Sequence, residues 1–501
     1  MSLQELMPTL IASACDAFRQ SFETFVENSP LRNFESLDGN LVSQVTSALQ
    51  EASSTAAKTA LRGFIESFEI KEELLIVDDK PYRFKCTSSK RFLTVLGELE
   101  INRRLYYHWA GGEAHVPLDE AWNMKDRYAT LEVTEYALLS ASMLTPNEIE
   151  KLFGKMCPFK PSASLIQDII NQDGAAFGRL LEAPEWREKA RPVEIEDQAA
   201  VKALAVSVDG ANVLIRAPGK KRGRPAERPG MKGRETTDPC SYKNAMVGAI
   251  SLYTEGNNVI DFSTGEEVLV PQRISSIYHA RMPEDKAPVF KAQFEELLAR
   301  VERELPENVT KILLMDGARS LWNYAEQAPI YDSYIKIVDF FHAAEHLSKL
   351  GEALHGKESD EAKQWYERWV HKLKHEANAV ESLLRSVTRY KGANQLSAAR
   401  VADVKTEKTY FERNKDKMNY ADLVSKGFPI GSGPVEAACK TVVKARFCQS
   451  GMRWTINGGQ NVMNLRVVQK SGHWESSWKT YVESGGYRSN QADSTDLAMA
   501  A

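Results

Sequence analysis

The chain has few cysteines, and their spacing pairs none of them. Six occur in 501 residues, at positions 15, 86, 157, 240, 439 and 448, and no two stand in a C-x-x-C arrangement. Structural zinc sites use closely spaced cysteines, and disulfide-stabilised domains are dense in them, so the sequence argues against both. Scattered, reduced thiols predict a cytoplasmic protein.

Long apolar runs are also missing. No window approaches the roughly 18 uninterrupted apolar residues of a membrane-spanning helix, so no membrane partner is expected. The first ten residues contain no basic stretch and no continuous apolar core, which predicts no export signal. A formal net charge of −4 excludes a uniformly positive surface but leaves room for a local basic face that binds DNA.

Changes in composition and hydrophobic spacing divide the chain into six predicted segments. Helix-like and strand-like patterns alternate, which predicts an α/β fold. The predicted segments are a helical N-terminal region (1–80), a β element with strands turning near Gly97, followed by a helical DNA-binding region and a linker (81–198), the first part of an α/β core (199–345), a helical insertion (346–424), the last part of the core (425–484) and a disordered tail (485–501).

Two N-terminal segments are candidates for reading DNA. The helical region 1–80 suits either DNA-end binding or self-association, and the sequence does not choose between them. Residues 144–153 resemble the capped start of a helix-turn-helix unit, and a purely structural helical pair fits them equally well.

Three acidic residues stand where a shared metal site can form. Asp209 follows the apolar run 203–208, Asp316 follows the apolar run 311–315, and Glu436 lies at the start of a basic, helix-like stretch. Two strand-end aspartates and a distant helical glutamate are what two-metal phosphoryl transfer on nucleic acid requires. Taken alone, each Asp-Gly pair is more typical of a turn after a strand.

The stretches around these acids resemble the ISKra family of bacterial insertion-sequence transposases. The likeness runs in one order from about Leu93 to Trp478, and its most specific part is Ile430–Trp454. The similar stretches are Ser207–Val213, Leu314–Ala318, Val338–Leu347, Ile430–Lys440 and Ser450–Trp454.

The resemblance implies a ribonuclease-H-like core with a catalytic and metal-binding Asp-Asp-Glu triad, which falls on Asp209, Asp316 and Glu436. It implies cleavage at mobile-element ends and transfer of the 3′-hydroxyl into target DNA, with DNA as partner and a homodimer or higher assembly on it. Two Mg²⁺ or Mn²⁺ ions are the expected cofactors, since hard cations offset carboxylate repulsion. A nuclease of similar fold and a domesticated DNA-binding protein without catalysis are the alternatives.

A histidine pair lies where the first part of the predicted core meets the helical insertion. Asp339-x-x-His342 is similar to the Cys/Asp-x-x-His element of Mutator-like transposases. His342 and His346 are four residues apart on a predicted helix, which suits either metal ligation or ordinary packing. We expect His342 to contact DNA or orient a carboxylate rather than ligate metal.

Two basic segments are predicted to hold DNA. Glu436, Lys440 and Lys444 recur at the spacing of one helical face, which would set cations beside the attacked phosphate. Trp454 could stack on an unpaired base. A loop at 219–234 resembles an AT-hook through Arg222-Gly-Arg-Pro, or serves as a nonspecific phosphate-binding loop. The predicted DNA-binding residues are Arg222, Arg224, His342, Lys440, Lys444, Arg446, Arg453 and Trp454.

Overall fold

The computed structural model describes six stretches of the chain: residues 3–28, 38–182, 200–216, 240–260, 267–390 and 396–486. The chain divides into two compact units, Met1–Phe177 with Trp478–Ala501, and Gly178–Ser477. Across the described stretches, no helix has the length and apolar content needed to cross a membrane. The predicted tail lies almost wholly outside these residues.

The first unit combines long helices with a small antiparallel sheet. Its strands are β1 (Leu74–Val77), β2 (Lys80–Thr94) and β3 (Gly97–His108), and they lie side by side in the order β1-β2-β3. The turn between β2 and β3 falls at Gly97, whose φ of 108° lies in the left-handed region that glycine tolerates. This confirms the predicted pair of strands turning near Gly97. The helices are α1 (Leu3–Asn28), α2 (Gly39–Glu66), α3 (Pro117–Ala121), α4 (Leu131–Ala141), α5 (Pro146–Met156) and α6 (Ala163–Glu182), which continues beyond the unit.

The start of α5 has the capping geometry that its sequence predicts. The Thr145 side chain accepts a hydrogen bond from the Glu148 backbone N–H, and the Glu148 carboxylate accepts one from the Thr145 backbone N–H at 2.8 Å. These reciprocal bonds satisfy two donors that a helix N-terminus otherwise leaves without partners. The capped helix start is confirmed, whereas its reading of DNA stays a prediction.

The second unit is a mixed α/β structure around a five-stranded sheet. The strands are β4 (Ala203–Arg216), β5 (Cys240–Tyr253), β8 (Arg273–Arg281), β9 (Thr310–Met315) and β10 (Ile335–Val338), in the spatial order β10-β9-β4-β5-β8. The β4–β5 and β5–β8 pairs are antiparallel, and the β4–β9 and β9–β10 pairs are parallel. A separate hairpin pairs β6 (Asn257–Ile260) with β7 (Glu267–Val270).

The first core strand is longer than its apolar run predicts. β4 passes through Asp209 and Gly210 and pairs with β5 as far as Arg216. The expectation that Asp209-Gly210 ends the strand in a turn is therefore wrong. Gly210 suits a paired strand here because a Cβ at this position would collide with the Asn244 side chain. An Asp-Gly pair permits a turn without requiring one.

Helices precede each of the parallel strands β9 and β10, and further helices after β10 form the predicted insertion. The helix α7 (Pro288–Arg303) precedes β9, and α8 (Arg319–Gln327) precedes β10. The helical stretch after β10 consists of α9 (Phe340–His355), α10 (Asp360–His375), α11 (Ala379–Thr388), α12 (Ala398–Asn414) and α13 (Tyr420–Ser425). The chain then continues as α14 (Gly433–Ala438), a π-helical turn (Cys439–Lys444), α15 (Ala445–Phe447), α16 (Ile456–Lys470) and α17 (Trp474–Glu483).

The core of this unit lies between the sheet and its helices. Phe290, Phe294 and Leu298 of α7 are fully buried at helical spacing, as their apolar periodicity predicts. Phe294 occupies the space over Gly248 of β5, where a Cβ would collide with its ring. The glycine is thus required by the close approach of helix and sheet.

We expect Gly248→Ala to destabilise the second unit by about 1–3 kcal/mol, because the added methyl group must displace the Phe294 ring from a packed core. The shift in the denaturation midpoint measures this cost. Gly433→Ala is the matched control, since a Cβ there meets no heavy atom within 4 Å. Equal midpoints for the two variants would contradict the packing argument.

Candidate metal centre

Three aspartates lie side by side at one edge of the five-stranded sheet. Ser207 of β4 is in register with Leu314 of β9, so two positions later Asp209 is level with Asp316. Val338 of β10 is in register with Met315, so one position later Asp339 is also level with Asp316. Because adjacent strands are about 4.8 Å apart, the three backbones carry acidic side chains in one short row.

Asp339 connects this row to two other segments. It is fully buried, and its Oδ1 accepts a hydrogen bond of 2.8 Å from the backbone N–H of His342, which caps α9. Its Oδ2 accepts a hydrogen bond from the backbone N–H of Ser432. Its own N–H donates to the Met315 carbonyl at 2.8 Å. One carboxylate thereby fixes the start of α9 and the turn that leads to Glu436.

Glu436 lies in the first turn of α14, directly after that turn. Its backbone N–H donates to the Ser432 carbonyl at 3.2 Å, and the Ser432 hydroxyl donates to its carboxylate at 3.3 Å. Pro434 is at the start of the helix, where its missing N–H costs nothing. A negative side chain in the first helical turn is favoured by the helix dipole.

Among the described residues, Asp339, His342 and Glu436 form a compact group of possible ligands. One ligand atom from each lies within 4.8 Å of the others, and Asp339 is buried while the other two are half-buried. Asp209 and Asp316 are not members of this group. The predicted triad therefore shares only Glu436 with it. His342, which was expected to contact DNA or orient a carboxylate rather than ligate metal, stands in a ligand position.

Asp316 is nevertheless electrostatically part of the same centre. Burial raises the pKa of its carboxyl, and the charges of Asp209 and Asp339 raise it further, while a backbone hydrogen bond from Ala318 and the nearby His342 oppose the rise. The Ala318 N–H donates to Asp316 Oδ1 at 2.9 Å. A carboxylate whose ionisation is opposed by its neighbours is a carboxylate that a cation would stabilise.

Asp209 faces Cys439, on the π-helical turn after Glu436. The thiol is 3.5 Å from Asp209 Oδ2 and is oriented to donate to it. Burial raises the pKa of Cys439 far above its usual range, and the Asp209 carboxylate adds to this effect. Because the thiolate is the nucleophilic form, Cys439 is a packed thiol rather than a nucleophile.

The helical insertion lies against the residue that follows Asp316. Tyr410 of α12 lies against Gly317, where a Cβ would be 2.5 Å from the tyrosine ring. Arg413 donates to the Gly317 carbonyl at 3.3 Å. The His346 ring stacks on Tyr410 at 3.6 Å and its Nδ1 is 2.6 Å from Glu407. His346 is therefore engaged in packing and hydrogen bonding, the ordinary alternative for a histidine at that spacing.

The predicted basic face is only partly on the surface. Lys440, Lys444 and Arg453 are exposed, as expected. Arg446 is only 2% exposed and its guanidinium lies 5.1 Å from the centre of the Trp454 ring, so its predicted phosphate contact is wrong for this conformation. Lys440 and Lys444, which carry the predicted four-residue spacing, lie on the π-helical turn and both remain exposed.

Trp454 is half-buried and serves the packing of this region. Its indole N–H donates to the Phe447 carbonyl at 3.0 Å, and its backbone N–H donates to the Leu214 carbonyl of β4 at 3.0 Å. The backbone bond attaches the segment after α15 to the first core strand, and the indole bond attaches it to α15. The predicted stacking on a base finds no support in these contacts. Arg222 and Arg224 fall outside the described residues.

The donor set fits a divalent cation. Asp209 and Asp316 offer oxygen, the ligand that Mg²⁺ and Mn²⁺ prefer, while His342 adds a nitrogen donor that suits later transition metals.

No protein-family model matches this chain, and no curated protein matches it.

The sequence analysis did not identify Asp339 or Tyr410 as a ligand or site residue of the centre. Asp339 carries a signal that could have identified it, since it follows the apolar run 335–338 as the other two aspartates follow theirs. Tyr410 carries none, because only the folded insertion brings it against Gly317.

We expect Asp316→Asn to stabilise the metal-free protein near neutral pH, since it removes a charge that the fold opposes. The folded-state pKa is raised from the usual 3.8, so the folded carboxyl holds its proton more tightly than the unfolded one. The advantage of the variant is therefore absent in acid and grows as the pH rises from 3.8 through the raised pKa. Unfolding free energy measured against pH in a chelator tests this.

At neutral pH, a divalent cation should make the wild type more stable than Asp316→Asn, the reverse of their order in a chelator. Added Mg²⁺ or Mn²⁺ is expected to raise the unfolding temperature of the wild type more than that of Asp316→Asn, because a ligand stabilises the state that binds it. Glu345→Gln removes an exposed carboxylate one turn from His342 and serves as control. A metal response that is identical in all three proteins would remove Asp316 from the centre.

Proposed function

We propose that this chain is a metal-dependent phosphoryl transferase of the transposase type, which cuts DNA at mobile-element ends and joins the 3′-hydroxyl to target DNA. The observation that carries the proposal is the row of Asp209, Asp316 and Asp339 at one sheet edge, with Glu436 held beside it. Binding alone gives no reason to gather four carboxylates that repel one another.

The sheet supports the ribonuclease-H-like core that the family resemblance implies. An antiparallel set, β4-β5-β8, is extended on the β4 side by two parallel strands, β9 and β10. The helical insertion then separates the parallel strands from Glu436. The acidic row lies on the three strands β4, β9 and β10 that this arrangement makes adjacent.

Four residues of the centre are candidate metal ligands, and a fifth mainly positions the backbone around them. Asp209, Asp316, Glu436 and His342 would hold the divalent cations, while Asp339 is committed to two backbone hydrogen bonds and can offer only its remaining lone pairs. When bound, such cations activate the attacking water or 3′-hydroxyl and stabilise the leaving oxygen of an in-line displacement. The carboxylates need only stay ionised, so no covalent enzyme intermediate is required.

The first test is cleavage and joining of a labelled element-end duplex with Mg²⁺ or Mn²⁺ by the wild type, Glu436→Gln, Asp209→Asn and His342→Gln. We expect Glu436→Gln and Asp209→Asn to lower kcat by at least about 100-fold, because each loses a charge from the metal-binding set. Glu345→Gln should match the wild type. Binding of the duplex, measured in parallel, should be unchanged in all variants.

The pattern of activities separates the alternatives. Cutting without joining would favour a nuclease, and binding without cutting by the wild type would favour a DNA-binding protein without catalysis. If His342→Gln loses activity while Asp209→Asn keeps full activity, the metal site is the compact group Asp339, His342 and Glu436. Full activity in Glu436→Gln would refute the proposed centre, because Glu436 belongs to both ligand sets.

The exposed lysines after Glu436 are expected to contact DNA phosphates. Replacing Lys440 or Lys444 by alanine should weaken binding of every duplex alike. Each substitution should lower the slope of log affinity against log salt concentration by about 1, the value for one released counterion. Lys363→Ala makes the same charge change on the exposed surface of α10 and is the control. Unchanged slopes for both site lysines would place the DNA elsewhere.

A further inference from the structure

A buried hydroxyl beside the acidic centre has no assigned use. Tyr410 is 8% exposed, and its hydroxyl has no hydrogen-bond partner among the residues that the structure describes. Burying a hydroxyl without a partner carries a free-energy cost that most proteins avoid. The position of this group therefore calls for a partner that the described residues do not provide.

The hydroxyl faces the row of aspartates. Its oxygen is 3.2 Å from the Cβ position of Gly317, the residue directly after Asp316. Asp316 and Asp339 are the two charges that act most strongly on the phenol, after burial itself. A side chain on Gly317 would occupy this space, so the glycine leaves the tyrosine access to the Asp316 loop.

The ring that carries the hydroxyl is held from behind. The His346 imidazole stacks on it at 3.6 Å with an angle of 19° between the planes, and Glu407 in turn holds His346 through Nδ1. Arg413, three residues further along α12, anchors the helix to the Gly317 carbonyl. These contacts fix the ring and leave the hydroxyl as its one unused group, which is the design expected of a positioned donor.

We propose that Tyr410 donates a hydrogen bond to a phosphate oxygen of the bound DNA strand at the acidic centre, so that the helical insertion supplies a catalytic residue. This rests on the proposed function, because the phosphate must lie at the aspartate row for Tyr410 to reach it. A protonated phenol is a donor, and a donor is what a negatively charged phosphate oxygen needs among carboxylates.

Tyr410→Phe removes the hydroxyl and keeps the stacked ring. We expect kcat to fall about 10- to 100-fold with KM little changed, the loss of one hydrogen bond to a charged group in the transition state. The unfolding temperature should stay equal or rise, because an unpartnered buried hydroxyl is lost. Tyr390→Phe is the matched control, since its hydroxyl donates to the Leu354 carbonyl at 2.8 Å, and this variant should lose stability instead.

A second readout does not depend on turnover. Mg²⁺ with inorganic pyrophosphate should raise the unfolding temperature of the wild type more than that of Tyr410→Phe. A wild type that does not cut DNA but shows this difference would refute the proposed function and keep the phosphate contact. Equal thermal shifts, undiminished kcat, or a loss of activity that tracks a loss of stability would each overturn the role of Tyr410.

Discussion

The buried carboxylate of Asp339 is the interaction on which the centre depends. It accepts one hydrogen bond from the backbone N–H of His342 at the N-terminus of α9. It accepts a second from the backbone N–H of Ser432, which lies 93 residues further along the chain than Asp339. Hydrogen bonds from backbone N–H groups to an ionised acceptor in a buried position are among the stronger ones in proteins. This carboxylate helps to attach the turn before Glu436 to the sheet edge. The Phe340 N–H, which donates to the Ile430 carbonyl, and the Tyr420 hydroxyl, which donates to the Val338 carbonyl, close the base of the insertion together with it.

The same architecture places like charges where they oppose one another. Neighbouring strands bring Asp209, Asp316 and Asp339 level, and burial together with the charges of Asp209 and Asp339 raises the pKa of the Asp316 carboxyl. Stability alone would favour replacing at least one of these acids with an amide. Under the proposed function, the free energy lost to this repulsion is offset when a cation binds, a conflict between stability and function that is usual at a charged site.

The sequence was most informative where a local pattern decides the structure. The strand ending at Met315, the helix over Pro288–Arg303, the capped start at Thr145 and the turn at Gly97 follow from apolar spacing, capping chemistry and glycine conformation. It was least informative where tertiary contacts decide. The passage of β4 through Asp209 depends on pairing with β5, the burial of Arg446 depends on its packing against Trp454, and the place of Tyr410 depends on how the insertion folds back. None of these is encoded within a short window.

Two unfavourable features meet at the loop after β9, and their coincidence is informative. Asp316 carries a charge that its neighbours oppose, and Tyr410 carries a hydroxyl without a partner within hydrogen-bond reach among the described residues. Either alone could be a tolerated defect of packing. A cation would relieve the first and an anionic oxygen would relieve the second, and a phosphate bound through divalent cations supplies both at once. The two costs therefore point to one ligand, and they do so from different elements of the fold, a strand end and a helix of the insertion.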